Sequence, residues 1–235
     1  YESLLQNAGI IRNKLKIRAN TDGKIIAERA MTFDVFIPFI FNETNWIAVS
    51  NRGRNFGAVV SIDLETGQET VIFERPGKSI DYAYAIDEKA TSVDFVKIGG
   101  GEPEYVALSA RGEKLLASLD DLAKPFQFDV LSANEDGKHV TLAISEREDS
   151  WFYRQVDLES GKTSHLGDYD LRRYKDDFAE TQFMKIKARD GLEIPVLLTL
   201  PKGVEGKNLP MVVVAHGGPS AHVSWGYEHE TQFLA

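Results

Sequence analysis

The six residues Asp63-Leu64-Glu65-Thr66-Gly67-Gln68 return ninety-four positions later as Asp157-Leu158-Glu159-Ser160-Gly161-Lys162. A motif recurring at a fixed offset between β-rich arms demands a repeated structural unit. Two periods of about 47 residues fall within the blade range of β-propellers. The turns Asn42-Glu43, Asp87-Glu88 and Asn134-Glu135 keep the same beat, 45 and 47 residues apart, and lead into strands predicted over 46–50, 91–98 and 139–145. Upstream, Asp22-Gly23 joins arms at 15–18 and 25–28 in a predicted hairpin, and Gly23 stands 44 residues before Gly67. Residues 1–170 are therefore expected to form about three and a half blades. Because propellers close with roughly four to eight blades, these are expected to be the tail of a larger ring.

The pattern changes after the last blade. Residues 171–180 contain no repeat and are rich in Arg, Lys and Asp, as expected of a polar linker. Over 181–188 polar and apolar residues alternate, and Arg189-Asp190-Gly191 turns the chain into a second arm at 194–200 closed by Pro201, which predicts a β-hairpin. The run Met211-Val212-Val213-Val214-Ala215 is predicted to be a strand buried on both faces. Glu228 and Glu230 ahead of Phe233 and Leu234 fit the first turns of a helix.

Composition excludes several classes of function. The chain has 235 residues, 43% of them hydrophobic, which supports a folded protein with a substantial core. With 27 Lys plus Arg against 36 Asp plus Glu, the net charge of -9 offers no general attraction to nucleic acid or anionic membranes. No apolar run reaches the roughly 18 to 20 residues of a membrane helix, and the N-terminus lacks the plan of a signal peptide. A soluble protein, cytoplasmic or periplasmic, is expected. There is no cysteine, so disulfides and thiolate metal sites are absent. Tyr1 in place of Met suggests that the natural N-terminus lies further upstream.

The residues that follow Ala215 carry the chemistry. His216-Gly217-Gly218-Pro219 places two glycines after a strand, where the backbone can approach a ligand closely and aim N–H groups at it. An oxyanion hole needs such donors when a carbonyl becomes a tetrahedral anion. The position suits the HGG-type loop of α/β-hydrolases. A tight strand-to-helix turn would also use glycine, without any chemistry.

The blocks Ala188-Arg189-Asp190-Gly191-Leu192-Glu193-Ile194-Pro195, Leu198-Thr199-Leu200-Pro201, His216-Gly217-Gly218-Pro219, Trp225-Gly226-Tyr227 and Gln232-Phe233-Leu234-Ala235 follow one another over about fifty residues. In this order they resemble prolyl oligopeptidase-family serine peptidases, especially the acylaminoacyl-peptidase and dipeptidyl-aminopeptidase-like enzymes. The resemblance implies a mostly β fold in which C-terminal propeller blades are followed by the first strands of an α/β-hydrolase domain. It divides the chain into 1–170, 171–180 and 181–235. It also implies that Gly217 and Gly218 form the oxyanion loop, with the Gly218 N–H as donor, and that His216 and Pro219 shape it. His216 precedes any nucleophile, whereas the hydrolase order is Ser, then Asp or Glu, then His, so it is not the catalytic base. Two departures stand out: His222-Val223 replaces an Arg-Asp common among relatives, and Val196 replaces a common glycine.

No G-x-S-x-G and no S-x-x-K occurs, so this chain contains no catalytic triad. The expected activity is that of a longer parent: hydrolysis of short peptides or of acyl-aminoacyl or aminoacyl bonds through an acyl-enzyme, with peptide as substrate and no cofactor. An esterase on the same scaffold, and a propeller binding module with a degenerate hydrolase domain, are the alternatives. Ser160-Gly161-Lys162-Thr163 lacks the leading glycine of a phosphate loop, and Gly99-Gly100-Gly101 lacks the later glycine of a dinucleotide fingerprint, so both read as turns. His229-Glu230 does not complete an H-E-x-x-H, and no metal site is expected. Asn42-Glu43-Thr44 coincides with a blade turn, which explains it without glycosylation. Unpaired strand edges predict oligomerisation of the isolated chain.

Overall fold

A computed structural model of the chain describes residues 9–11, 14–18, 25–30, 36–86, 92–146, 150–217 and 223–235. The chain divides into two compact units, Tyr1–Ala83 and Tyr84–Ala235. Among the described residues the structure is mostly antiparallel β-sheet.

The first unit opens with β1 (Gly9–Ile11), β2 (Lys14–Arg18) and β3 (Ile25–Ala30), paired in that order. Arg18 pairs with Ile25, giving the expected hairpin, while its Asp22-Gly23 turn lies outside the described residues. A four-stranded meander follows: β4 (Phe36–Phe41), β5 (Asn45–Ser50), β6 (Ala58–Asp63) and β7 (Glu69–Phe73). Its middle strands are buried on both faces, which is why Trp46-Ile47-Ala48-Val49 and Ala58-Val59-Val60 are unbroken apolar runs. The outermost strand β7 alternates less and is largely exposed. The unit boundary falls inside β8 (Ile80–Tyr84).

In the second unit, β9 (Phe95–Ile98) and β10 (Glu104–Ala107) pair around the Gly99–Gly101 loop. The helix α1 (Ala110–Ala117) comes next. A second four-stranded meander contains β11 (Phe126–Ala133), β12 (His139–Glu146), β13 (Phe152–Asp157) and β14 (Thr163–Asp168). Phe95, Leu115, Leu119, Phe128, Leu142 and Ile144 are central to its core. Aromatic rings fill this core: Tyr84 stacks on Phe95 within one sheet at 4.5 Å, and Phe95 meets Phe128 of the next sheet, tilted, at 5.3 Å. The Tyr105 hydroxyl accepts from the Phe128 N–H at 2.9 Å and donates to its carbonyl at 3.2 Å. Burial pushes that phenol far up, so it remains neutral and hydrogen-bonded.

The two copies of the repeat make the same turn. Asp63 Oδ1 accepts from the N–H groups of Glu65 and Thr66, and Asp157 Oδ1 from those of Glu159 and Ser160. Gly67 and Gly161 both stand at φ 70, a left-handed conformation that favours glycine. Forty-six residues after Asp63, within one position of where a middle copy would fall, Ser109 caps the N-terminus of α1 instead, accepting from the Gly112 N–H at 3.1 Å. The cap survives, but the hairpin has become a helix. Gly112 is required there, since a Cβ would collide with the Asp94 carbonyl oxygen.

Two expectations are corrected. Met211–Ala215 forms no buried strand: the run is unpaired, and Met211, Val212, Val213 and Val214 are 82%, 64%, 77% and 61% exposed. β-formers become a strand only when a neighbour takes their backbone N–H and C=O groups, and among the described residues no strand pairs with this run. The strand expected over 91–98 is confined to β9. Asp94 instead turns inward, its carboxylate accepting from the Ile86 N–H at 2.8 Å and the Ser109 hydroxyl at 2.5 Å. The segment expected as a polar linker contains a 3-10 helix, Asp170–Asp177. Arg172 ties it to the last meander through Glu146 Oε2, Asp168 Oδ1 and the Ser150 carbonyl, each at 3.2 Å, with its guanidinium 4.1 Å from the centre of the Phe152 ring.

Candidate functional site

Beyond the 3-10 helix, β15 (Thr181–Lys187) and β16 (Glu193–Thr199) pair in full register from Thr181–Thr199 to Lys187–Glu193, as the alternation over 181–188 predicts. The hydroxyls of Thr181 and Thr199 meet at 2.7 Å across the open end of the hairpin. The Phe183 ring packs against Gly101 in the β9–β10 loop, where an added Cβ would stand 3.2 Å from the ring. The hairpin thus touches a blade at a residue whose missing side chain makes room for it.

The glycine loop follows the exposed Met211–Ala215 run. His216 and Gly217 are described and exposed, with His216 Nδ1 2.9 Å from the Gly217 carbonyl oxygen. Gly218 and Pro219, the other two residues assigned to the loop, lie outside the described residues. Gly217 has open space around it, so an added Cβ would meet nothing within 4 Å. Among the described residues no carboxylate or hydroxyl is brought to His216 by a hydrogen bond.

The chain after the loop is held firmly. Trp225 is 3% exposed. Gly226 has φ 141, and a Cβ on it would collide with the carboxamide of Gln127, a buried residue of β11. The Tyr227 ring lies 5.0 Å from Phe178, and burial raises its phenol pKa. The helix α2 (His229–Leu234) then starts after Glu228. From its second turn the Gln232 carboxamide accepts from the Ala179 N–H at 2.8 Å and donates to the Ala179 carbonyl at 2.9 Å. Sequence motifs mark Trp225-Gly226-Tyr227 and Gln232 as blocks, but carry no signal that Gln127 and Ala179 receive them.

No protein-family profile matches the chain. A dipeptidyl aminopeptidase BIII of Pseudoxanthomonas mexicana is 26% identical over 192 residues, which cover 79% of this chain and 28% of that protein. Among solved structures, a puromycin-hydrolyzing peptidase of Mycobacterium tuberculosis matches with a TM-score of 0.53 at 17% identity, over 90% of this chain and 33% of the other. A prolyl endopeptidase structure matches with a TM-score of 0.52 at 10% identity, over 82% of this chain and 28% of the other. The chain therefore spans about a third or less of the length of these relatives, and the structural matches speak for the fold. Four-stranded meanders lead into the 181–199 hairpin and the His-Gly-Gly-Pro block, and the chain is similar in sequence to a dipeptidyl aminopeptidase and in fold to a prolyl endopeptidase and a puromycin-hydrolyzing peptidase.

Proposed function

We propose that this chain is part of a serine peptidase that hydrolyses short peptides, or acyl-aminoacyl or aminoacyl bonds, through an acyl-enzyme. Within it, residues 1–170 serve as propeller, 171–180 as connector and 181–235 as the beginning of the α/β-hydrolase domain. The observation that carries the reading is the ordered set of blocks from Ala188 to Ala235, together with the dipeptidyl aminopeptidase that aligns with most of the chain. The Gly218 N–H, with Gly217 beside it, donates to the carbonyl oxygen of the scissile bond as that oxygen becomes an anion. Donors placed where the charge develops stabilise the transition state more than the bound substrate. His216 and Pro219 shape the loop. A serine, an acid and a histidine elsewhere in the parent attack, orient and transfer the proton.

The test uses the full-length parent. A fluorophosphonate should label a single serine, and aminoacyl p-nitroanilides should turn over. Gly218→Pro should remove the donor and lower kcat about 10²- to 10³-fold in a variant that retains its circular dichroism and melting temperature. Turnover of simple esters without turnover of amides would favour the esterase. Absence of both labelling and a downstream G-x-S-x-G would leave a binding module.

A further inference from the structure

The chain from Asp170 to Ala179 is gripped at both ends and bare between them. At the near end Arg172 is held by Glu146, Asp168 and the Ser150 carbonyl and covers the Phe152 ring, so it stays with the last meander. At the far end the Lys202 ammonium donates to the Asp176 carbonyl, Tyr227 packs against Phe178, and Gln232 holds both polar groups of the Ala179 backbone. Between the grips Arg173, Tyr174 and Lys175 are exposed, and among the described residues none of their side chains has a hydrogen bond or ion pair to another element. The Arg173 guanidinium stands over the neighbouring Tyr174 ring at 5.0 Å, a contact inside the bare stretch itself. The backbone there is 3-10, whose hydrogen bonds have poorer geometry than those of an α-helix, so that runs beyond about three to four residues are uncommon. This one has eight residues, and its bare middle is the cheapest place to bend.

Two contacts cross from the far side to the near side without passing through that stretch. Phe183 of β15 sits on Gly101 in the β9–β10 loop, and Gly226 sits on the carboxamide of Gln127 in β11. Close-fitting contacts of this kind are lost over a small displacement, because attraction between packed atoms falls steeply once a gap opens. We propose that Arg173–Lys175 is a pivot on which the β15–β16 hairpin and α2 swing together against β9–β10 and β11–β14, with Phe183–Gly101 and Gly226–Gln127 as the two catches that hold it closed. The motion needs no catalytic group, so it holds whether or not the longer protein cleaves peptides.

Trypsin reports the pivot directly, because Arg173 and Lys175 are residues it cleaves after. Cleavage needs the chain extended on both sides of the bond, which the two grips deny in the closed form. In the full-length protein under native conditions, Phe183→Ala and Gln127→Ala should each speed cleavage after Arg173 and Lys175 about ten-fold, since the rate follows the population of the open form. Phe183→Leu should fall between wild type and Phe183→Ala, and the double variant should exceed either single one. Hydrogen exchange should accelerate at the amides of Arg173, Tyr174 and Lys175, while Ala179 keeps its protection because Gln232 travels with it. Unchanged cleavage in both folded catch variants overturns the pivot. Loss of protection at Ala179 in step with Arg173–Lys175 overturns it as well, since the connector would then be unravelling as a whole. So does equal acceleration in β12, which would be general loosening. Should Gln127→Ala fail to fold, Phe183→Ala on the largely exposed hairpin strand decides by the same three readings.

Discussion

The Gln232 carboxamide closes a two-point hydrogen-bond pair with the backbone of Ala179, 53 residues away in sequence. A side-chain amide offers a donor and an acceptor in the spacing of a peptide group, so Gln232 satisfies a backbone that leaves the 3-10 helix before β15 begins. Ala179 is 3% exposed, and loss of the partner would leave both its polar groups buried and unpaired. Gln232→Ala is expected to cost about 1–3 kcal/mol. Urea unfolding measures the loss, and amide exchange at Ala179 should accelerate. An unchanged urea midpoint would count against the pair.

Gly112→Ala should be costly despite the high helix propensity of alanine. The methyl would collide with a backbone oxygen, at Asp94, which also accepts from the N–H groups of Leu108 and Ser109 and so cannot yield cheaply. Overpacking of this sort typically costs about 1–3 kcal/mol. The urea midpoint should fall, and a rise would show that α1 can slide away from β9.

Asp121 should make stability depend on acid. Arg154 donates to both its oxygens, at 2.8 and 3.1 Å, and this hydrogen bonding holds the carboxyl below the usual range. A group depressed in the folded state contributes stability above its ordinary pKa of 3.8 and loses it as pH falls through the depressed value. The Asp121 side chain is 63% exposed, so the pair should contribute less than about 1 kcal/mol. Wild type should exceed Asp121→Asn in stability near neutral pH, and the difference should fade from about pH 5 downward. A difference independent of pH would assign the effect to something other than ionisation.

Val213→Lys should reduce self-association of the 235-residue chain. Val213 is 77% exposed within a contiguous apolar run, and such a run is a template for pairing with another copy. Light scattering of both chains decides, and equal mass distributions would place the association elsewhere.

Periodic features of this fold are legible in the sequence because the physics behind them is local. An aspartate that caps its own turn and a glycine that closes it suffice to write the same hairpin at Asp63 and Asp157, and alternation suffices for the 181–199 hairpin. Helix α1 escapes a reading built on the blade period, although Ser109 as a cap before Ala110–Ala117 would have signalled it. The opposite failure occurs at Met211–Ala215, where composition declares a strand and the partner that would make it one is missing among the described residues. For the candidate site, His216 and Gly217 announce themselves by type and order. Gln127 does not: a glutamine inside a blade strand acquires meaning only when Gly226 comes to rest against it.

Every strand pair among the described residues joins strands adjacent in sequence, from β1–β2 through β15–β16. Such pairings close short loops, which makes them fast, with hairpins forming in about 1–10 μs. A ribosome delivers about 5–20 residues per second, so each meander has its last strand within seconds of its first and can zip while the next is still being made. Synthesis would then proceed blade by blade behind the ribosome. The apolar run at Met211–Val214 is the exception to this schedule, since among the described residues it has no neighbouring strand to zip against.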